Sequence, residues 1–163
     1  MAQARQTVVL NNAKTQIGSR DWSPLTLRTS ADGKTTFYIG EPKCNLFVYE
    51  MLVAAGISQD LPNGAGRIKN FLLNLFNDST ERPYVCEQWY DGKVPNMKLV
   101  GKGIEGLNKS WPGDLVTDGH HIGIISGPQK TISASSDECK IVENNWGWGK
   151  DRRNIVKVFR YHP

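Results

Sequence analysis

Residues 42–56 read PKCNLFVYEMLVAAG, and no other stretch limits the fold as strongly. Pro42 suits a first helical turn and Gly56 a C′ position. Between them Phe47, Val48, Met51, Leu52 and Ala55 recur at three- and four-residue spacing. Leu46 and Val53 widen that stripe until little is polar except Cys44, Asn45, Tyr49 and Glu50. A helix apolar on nearly every side must be covered all round, so the pattern predicts a central helix with the rest of the chain packed about it.

The flanking sequence predicts what does the covering. Residues 3–17 read as a first helix ending near Gly18, followed by a loop over 19–34 that is rich in Ser, Pro, Gly and Asp. Ile68, Phe71, Leu72, Leu75 and Phe76 share one helical face, which predicts a covering helix over 66–77. The stretch 79–112 carries Pro83, Gly92, Pro95, Gly101, Gly103 and Gly106 and reads as loop, with a short strand or helix around 85–90. From 114 onward the pattern changes to short β-like runs: DLVT, HIGIIS, TISAS, KIVENN and NIVKVFRY. Turn signals such as DGHH, SGPQ and WGWGKD separate them. Helices followed by an antiparallel meander predict an α+β fold, with 1–163 as a single domain.

Composition excludes several classes. No window approaches the roughly 18 consecutive apolar residues of a membrane span. The start, MAQARQTVVLNNAKTQ, has no Sec-type signal, so the expectation is a chain made in the cytoplasm and secreted, if it is, by another route. A formal charge of +4 favours an anionic partner such as nucleic acid, a membrane surface or a bacterial cell wall. Only Lys150, Arg152 and Arg153 cluster, and no basic stripe with interleaved aromatics exists, which argues against nucleic acid. With no CxxC or CxxxC spacing and with His120, His121 and His162 as the only histidines, neither a metal nor another cofactor is expected. The odd number of cysteines, Cys44, Cys86 and Cys139, allows one disulfide plus a thiol or three thiols.

Cys44 sits at the mouth of the central helix, where the positive end of the macrodipole favours a thiolate; Lys43 beside it would push the same way. The bland alternative is a small buried side chain that simply packs. A nucleophilic cysteine needs a base and a group that orients it. His121 opens the HIGIIS run directly after a tight turn, with His120 as its rival. Glu143, Asn144 and Asn145, where the KIVENN run ends, offer the third group. Glu143 and Asn145 share one strand face, although Asn-rich strand ends also form ordinary turns. Trp146 and Trp148 could cap a core edge or line a groove for substrate. Cys86 and Cys139 read as structural thiols, or as a pair with each other in an oxidising compartment.

The cysteine-led helix KCNLFVYEMLVAAG, then PGDLV, HIGII and ENNW, resemble in that order the NlpC/P60 and CHAP superfamily of papain-like cysteine peptidases and amidases. AKTQIGSRDW is similar to the first helix of that group, and the resemblance covers about 10 to 146. Lys43 and Asn45 flank the cysteine where many members have Asp and Ser, and 57–110 has no counterpart. The resemblance implies a papain-like fold with the nucleophile at a central helix N-terminus packed on an antiparallel sheet. It implies Cys44 as nucleophile, His121 as base and Glu143 as third residue, with Asn145 next in line. The implied activity is that of a peptidoglycan peptide amidase or endopeptidase working through a thioester. The implied setting is a monomeric antibacterial effector of a type VI kind, acting in the periplasm of a target cell and held in check by a cognate immunity protein. A phage lysin, a papain-like hydrolase or acyltransferase acting on protein or lipid, and a non-catalytic module with Trp146 and Trp148 as ligand platform are the alternatives.

Overall fold

A computed structural model of the chain describes residues 2–31, 33, 35–57 and 82–163. The helix expected over 66–77 lies outside the described residues. Four helices and two antiparallel sheets make up the described chain, so the architecture is α+β. Helix α1 (Ala2–Thr15) leads to a two-stranded ribbon, β1 (Arg28–Thr29) and β2 (Thr36–Phe37), and then to α2 (Cys44–Ala54). Next come the short α3 (Cys86–Tyr90), β3 (Met97–Lys102) and α4 (Gly103–Asn108). Strands β4 (Leu115–Thr117), β5 (Ile122–Gly127), β6 (Lys130–Ser135), β7 (Lys140–Asn144) and β8 (Lys157–Tyr161) complete the chain. No helix among the described residues is long and apolar enough to cross a membrane.

Helix α2 is central, as its composition requires. Leu46, Phe47 and Val48 have no exposed surface, and every residue from Cys44 to Leu52 is buried. One side packs on α1, whose buried Gln6, Val9, Leu10 and Ala13 follow the i, i+3, i+4, i+7 spacing; another packs on β5 and β6. Glu50 is the one acid on this helix, and it is buried only because three groups meet it. Its carboxylate accepts from Trp22 Nε1 at 2.7 Å, Arg28 Nη2 at 2.8 Å and the Ala31 amide at 2.9 Å. These contacts pin the loop before β1 and the one after it to the helix.

The large sheet runs β3-β8-β4-β5-β6-β7, antiparallel throughout. Strands β4 to β7 form the expected meander, but β8 leaves it and inserts between β3 and β4. The sequence of β3 reads as loop because Gly101 and a half-exposed, non-alternating pattern conceal an edge strand. Ile122, Ile124, Ile132, Ala134 and Ile141 face α2, whereas Val116, Ile125 and Val158 face Leu107 of α4 and the partly buried Trp146 and Trp148. Both faces of the sheet centre are therefore covered, which explains why IGII shows no polar alternation.

The PGD sequence joins α1 to this sheet. Asp114, fully buried, accepts from Gln6 Nε2 at 2.6 Å, the Trp111 amide at 2.7 Å, and Arg160 Nε and Nη2 at 2.9 and 2.7 Å. Gly113 holds φ +95°, and a Cβ there would lie 2.5 Å from the Gln6 carbonyl oxygen. Glycine thus supplies both the left-handed turn and the close approach of helix to strand.

Candidate active site

Cys44 is the first residue of α2 and is 4% exposed. Four of the first amides of a helix have no partner inside it, so this position places the sulfur in the positive field of the helix end. Lys43 does not add to that field as the sequence suggested. Its ammonium turns away to the carbonyls of Tyr38 and Glu41, both at 3.1 Å, and burial lowers its pKa.

The neighbour of Cys44 is a second thiol. Cys86 opens α3, and its sulfur lies 3.5 Å from that of Cys44. Asn45 Nδ2 donates to the Tyr84 carbonyl at 3.4 Å, which ties the segment leading into α3 to the first turn of α2. Buried Trp89 and the edge-on pair of Tyr84 with Trp89, 6.5 Å between centroids, seat the short helix. All three cysteines are free thiols. The pairing of Cys86 with Cys139 considered from sequence is not present: Cys139 lies in the turn between β6 and β7 and its Sγ donates to the Ser136 carbonyl, while Cys86 faces Cys44.

The Cys44 thiol is acidified well below its ordinary value. The hydrogen bond with Cys86 is the largest cause, and burial opposes it; the His121 side chain and the Ile122 backbone amide add stabilisation of the anion. Cys86 moves the other way, pushed far up by the same hydrogen bond, by burial and by the negative charges of Cys44 and Asp118. The two sulfurs share one hydrogen bond, in which either can be the donor.

His121 comes from the turn between β4 and β5, and this turn is cross-braced. Asp118 Oδ1 accepts the backbone N–H groups of His120 at 2.9 Å and His121 at 2.8 Å, and Thr117 Oγ1 donates to the His121 carbonyl at 2.8 Å. Gly119, at φ +89°, completes the turn over the ring of Tyr90 in α3. Tyr90 is fixed in turn by its hydroxyl bond to the Ile155 carbonyl at 3.0 Å and by the Lys157 ammonium 3.8 Å above its ring. The same turn architecture leaves His120 exposed and His121 half-buried.

Asp118 does more than close the turn. Its side chain is 1% exposed, and Oδ2 pairs with Arg152 Nη1. Burial alone would raise its pKa, but the two backbone N–H bonds, Arg152 and His121 together hold it below the usual carboxylate value. Arg152 also lies 5.7 Å from the ring centroid of Trp146, whose edge-to-face partner is His121. Asp118 and Trp146 therefore both contact His121, and Arg152 bridges the two.

The residues singled out from sequence separate into groups. Cys44 and His121 are brought together. Trp146 packs on His121, and its amide donates to Asn144 Oδ1 at 2.9 Å. Glu143 lies on the edge strand β7, opposite Ile132 and paired with Lys130 at 3.5 Å. Asn145 is exposed, and its carbonyl accepts the Trp148 amide at 3.0 Å. Trp148 lines a separate cleft of about 430 Å³ with Leu107, Ile125, Pro128 and Gln129, a cleft that includes none of Cys44, Cys86, Asp118 or His121. Sequence reasoning missed Cys86, Asp118 and Arg152. Asp118 had a readable signal, since an Asp at the head of DGHH is an Asx-turn former three residues before the histidine; Cys86 and Arg152 had none.

Among the described residues no group of three or more His, Cys, Asp or Glu side chains is arranged to hold a metal ion. A buried thiol at a helix mouth, an imidazole beside it and a carboxylate that braces the imidazole-bearing turn are groups of the kind that nucleophilic catalysis requires. No family model, curated protein or solved structure matches the chain.

Proposed function

We propose that the chain is a cysteine hydrolase of the papain-like NlpC/P60 and CHAP kind that cuts a peptide or amide bond in the peptide part of peptidoglycan. The observation that carries the chemistry is the place of Cys44, buried at the mouth of α2 with the His121 side chain within reach of its sulfur. The α+β architecture, with that helix packed on an antiparallel sheet, supports the papain-like reading. The wall substrate rests on the sequence resemblance and on the net charge of +4, which suits an anionic polymer. An antibacterial effector delivered to the periplasm of a target cell, with an immunity protein as its partner, is the setting that fits such a chain.

In this mechanism the Cys44 thiolate attacks the carbonyl carbon, and the oxyanion meets the unpartnered N–H of the α2 terminus. His121 gives a proton to the departing amine, leaving a thioester on Cys44. It then takes a proton from water, whose attack releases the acid and restores the thiol. Asp118 touches neither substrate nor sulfur in this scheme. It positions His121 through the two turn amides and keeps negative charge near the imidazolium.

The test is incubation with purified muropeptides and mass analysis of the products. Wild-type cleavage together with loss in Cys44→Ala and His121→Ala is the expected result. A Cys44→Ala variant that still cleaves overturns the catalytic assignment. Wild-type protein that cuts no muropeptide, while a thiol reagent labels Cys44, overturns the wall substrate.

A further inference from the structure

Cys86 has no part in the acyl-transfer scheme, yet its sulfur lies in direct contact with that of the nucleophile. The sulfurs are 3.5 Å apart, and a covalent S–S bond measures about 2.05 Å, so roughly 1.5 Å of approach separates two thiols from a disulfide. Both residues are the first of their helices, where one side chain can swing without breaking the ladder behind it. The Asn45 bond to the Tyr84 carbonyl holds the two helix starts together. Both cysteines are free and buried, 4% and 8% exposed, so a large thiol reaches either less readily than they reach each other.

We propose that Cys44 and Cys86 form a reversible disulfide on exposure to hydrogen peroxide, and that this bond switches the enzyme off. The switch rests on the reading of Cys44 as the nucleophile; the pairing itself does not. In the first step the Cys44 thiolate attacks one peroxide oxygen and the O–O bond breaks. Hydroxide leaves, takes up the proton that Cys44 had lost and becomes water, and Cys44 is now a sulfenic acid. In the second step the Cys86 sulfur attacks the Cys44 sulfur, the S–O bond breaks, and hydroxide departs with the Cys86 proton as a second water. Two thiols have lost two electrons and peroxide has gained them. A dithiol reductant reverses the bond by becoming a cyclic disulfide itself.

Proximity decides which product forms. A sulfenic acid left alone moves on to the irreversible sulfinic acid, whereas a thiol held against it captures it first. Cys86 thus protects the nucleophile from permanent damage while silencing it. Cys139, held to the Ser136 carbonyl in the β6–β7 turn, takes no part and serves as an internal control.

The experiment treats the full chain with stoichiometric hydrogen peroxide, then alkylates it and measures intact mass and a peptide map. The expected result is a loss of about 2 Da before alkylation, a single alkylated residue, Cys139, and a linked peptide containing Cys44 and Cys86. Dithiothreitol should restore alkylation at all three cysteines and, with it, muropeptide cleavage. In Cys86→Ser and Cys86→Ala two equivalents of peroxide, one for each oxygen added, should carry Cys44 to a sulfinic acid, a gain of about 32 Da that dithiothreitol does not reverse. Wild-type Cys44 reaching the sulfinic acid while Cys86 stays alkylatable overturns the pairing, as does a link from either residue to Cys139. Full cleavage with the link in place overturns the switch. A link that forms in protein that cuts no muropeptide even when reduced upholds the pairing and overturns the wall substrate instead.

Discussion

The ring of Trp146 meets the imidazole of His121 edge to face, with centroids 4.6 Å apart and planes inclined at 73°. Such pairs contribute about 0.5–1.5 kcal/mol beyond burial and, more to the point here, restrict the partner ring. Trp146→Ala should leave a folded protein whose kcat falls about ten- to a hundredfold through loss of imidazole alignment. Trp146→Phe should recover most of it. Equal kcat in wild type and Trp146→Ala, at matched thermal stability, would remove Trp146 from the site.

Asp118→Asn keeps an acceptor for the His120 and His121 amides but loses the charge that pairs with Arg152. A lost charge-assisted bond costs about 1–3 kcal/mol, and cleavage should fall with it, whereas Glu143→Gln and Asn145→Ala should cleave near the wild-type rate. A variant series in which Glu143→Gln is the inactive one would reverse the roles. The pH dependence has a definite sign. Because Asp118 is held below its unfolded pKa of about 3.9, its stabilisation is complete above that value and is lost as pH falls through the lower folded pKa. Melting temperature should therefore drop on the acid side below about pH 4, and the drop should be shallower in Asp118→Asn.

Cys44 should react as a thiolate under mildly acidic conditions. A thiol of pKa about 8.5 is less than about 1% ionised at pH 6, so labelling by a small alkylating reagent there isolates a group acidified as Cys44 is. His121→Ala should move the labelling curve of Cys44 to higher pH by removing one of the groups that stabilise the anion. A wild-type curve that rises only above pH 8 would contradict the acidification.

Gly113→Ala tests the clamp between α1 and the sheet. The new Cβ would need a left-handed φ and would lie 2.5 Å from a backbone oxygen of α1, neither of which a flexible side chain can relieve. A cost of at least about 2 kcal/mol is expected, seen as a fall in melting temperature of roughly 5 °C or more. Unchanged melting would show that α1 shifts freely against Asp114.

Legibility in the sequence followed the range of the interactions. Helix α2, the position of Cys44 at its mouth and the strand run that His121 leads are local patterns, and the structure reproduces them. The strands of the meander were readable for the same reason. What escaped is tertiary. Cys86 meets Cys44 across 42 residues and Arg152 meets Asp118 across 34, with no periodicity or spacing rule to announce either. The polar run at 143–145 looked functional because it is polar at a strand end, but Glu143 is engaged with Lys130 and Asn144 serves Trp146. Lys43 looked electrostatic because it adjoins Cys44 in the chain, while its ammonium lies with the carbonyls of Tyr38 and Glu41.

Strand β8 is flanked by β3 on one side and β4 on the other, although it is the last strand in chain order. During synthesis Cys44, Cys86 and His121 all emerge while the strand that joins β3 to β4 has yet to be made. The turn bearing His121 has only one of its two bordering strands settled until then, and the long-range pairing of β8 is the slow kind. Closure of the sheet by β8 is therefore also the step that borders β4 on its second side, next to the turn that carries His121.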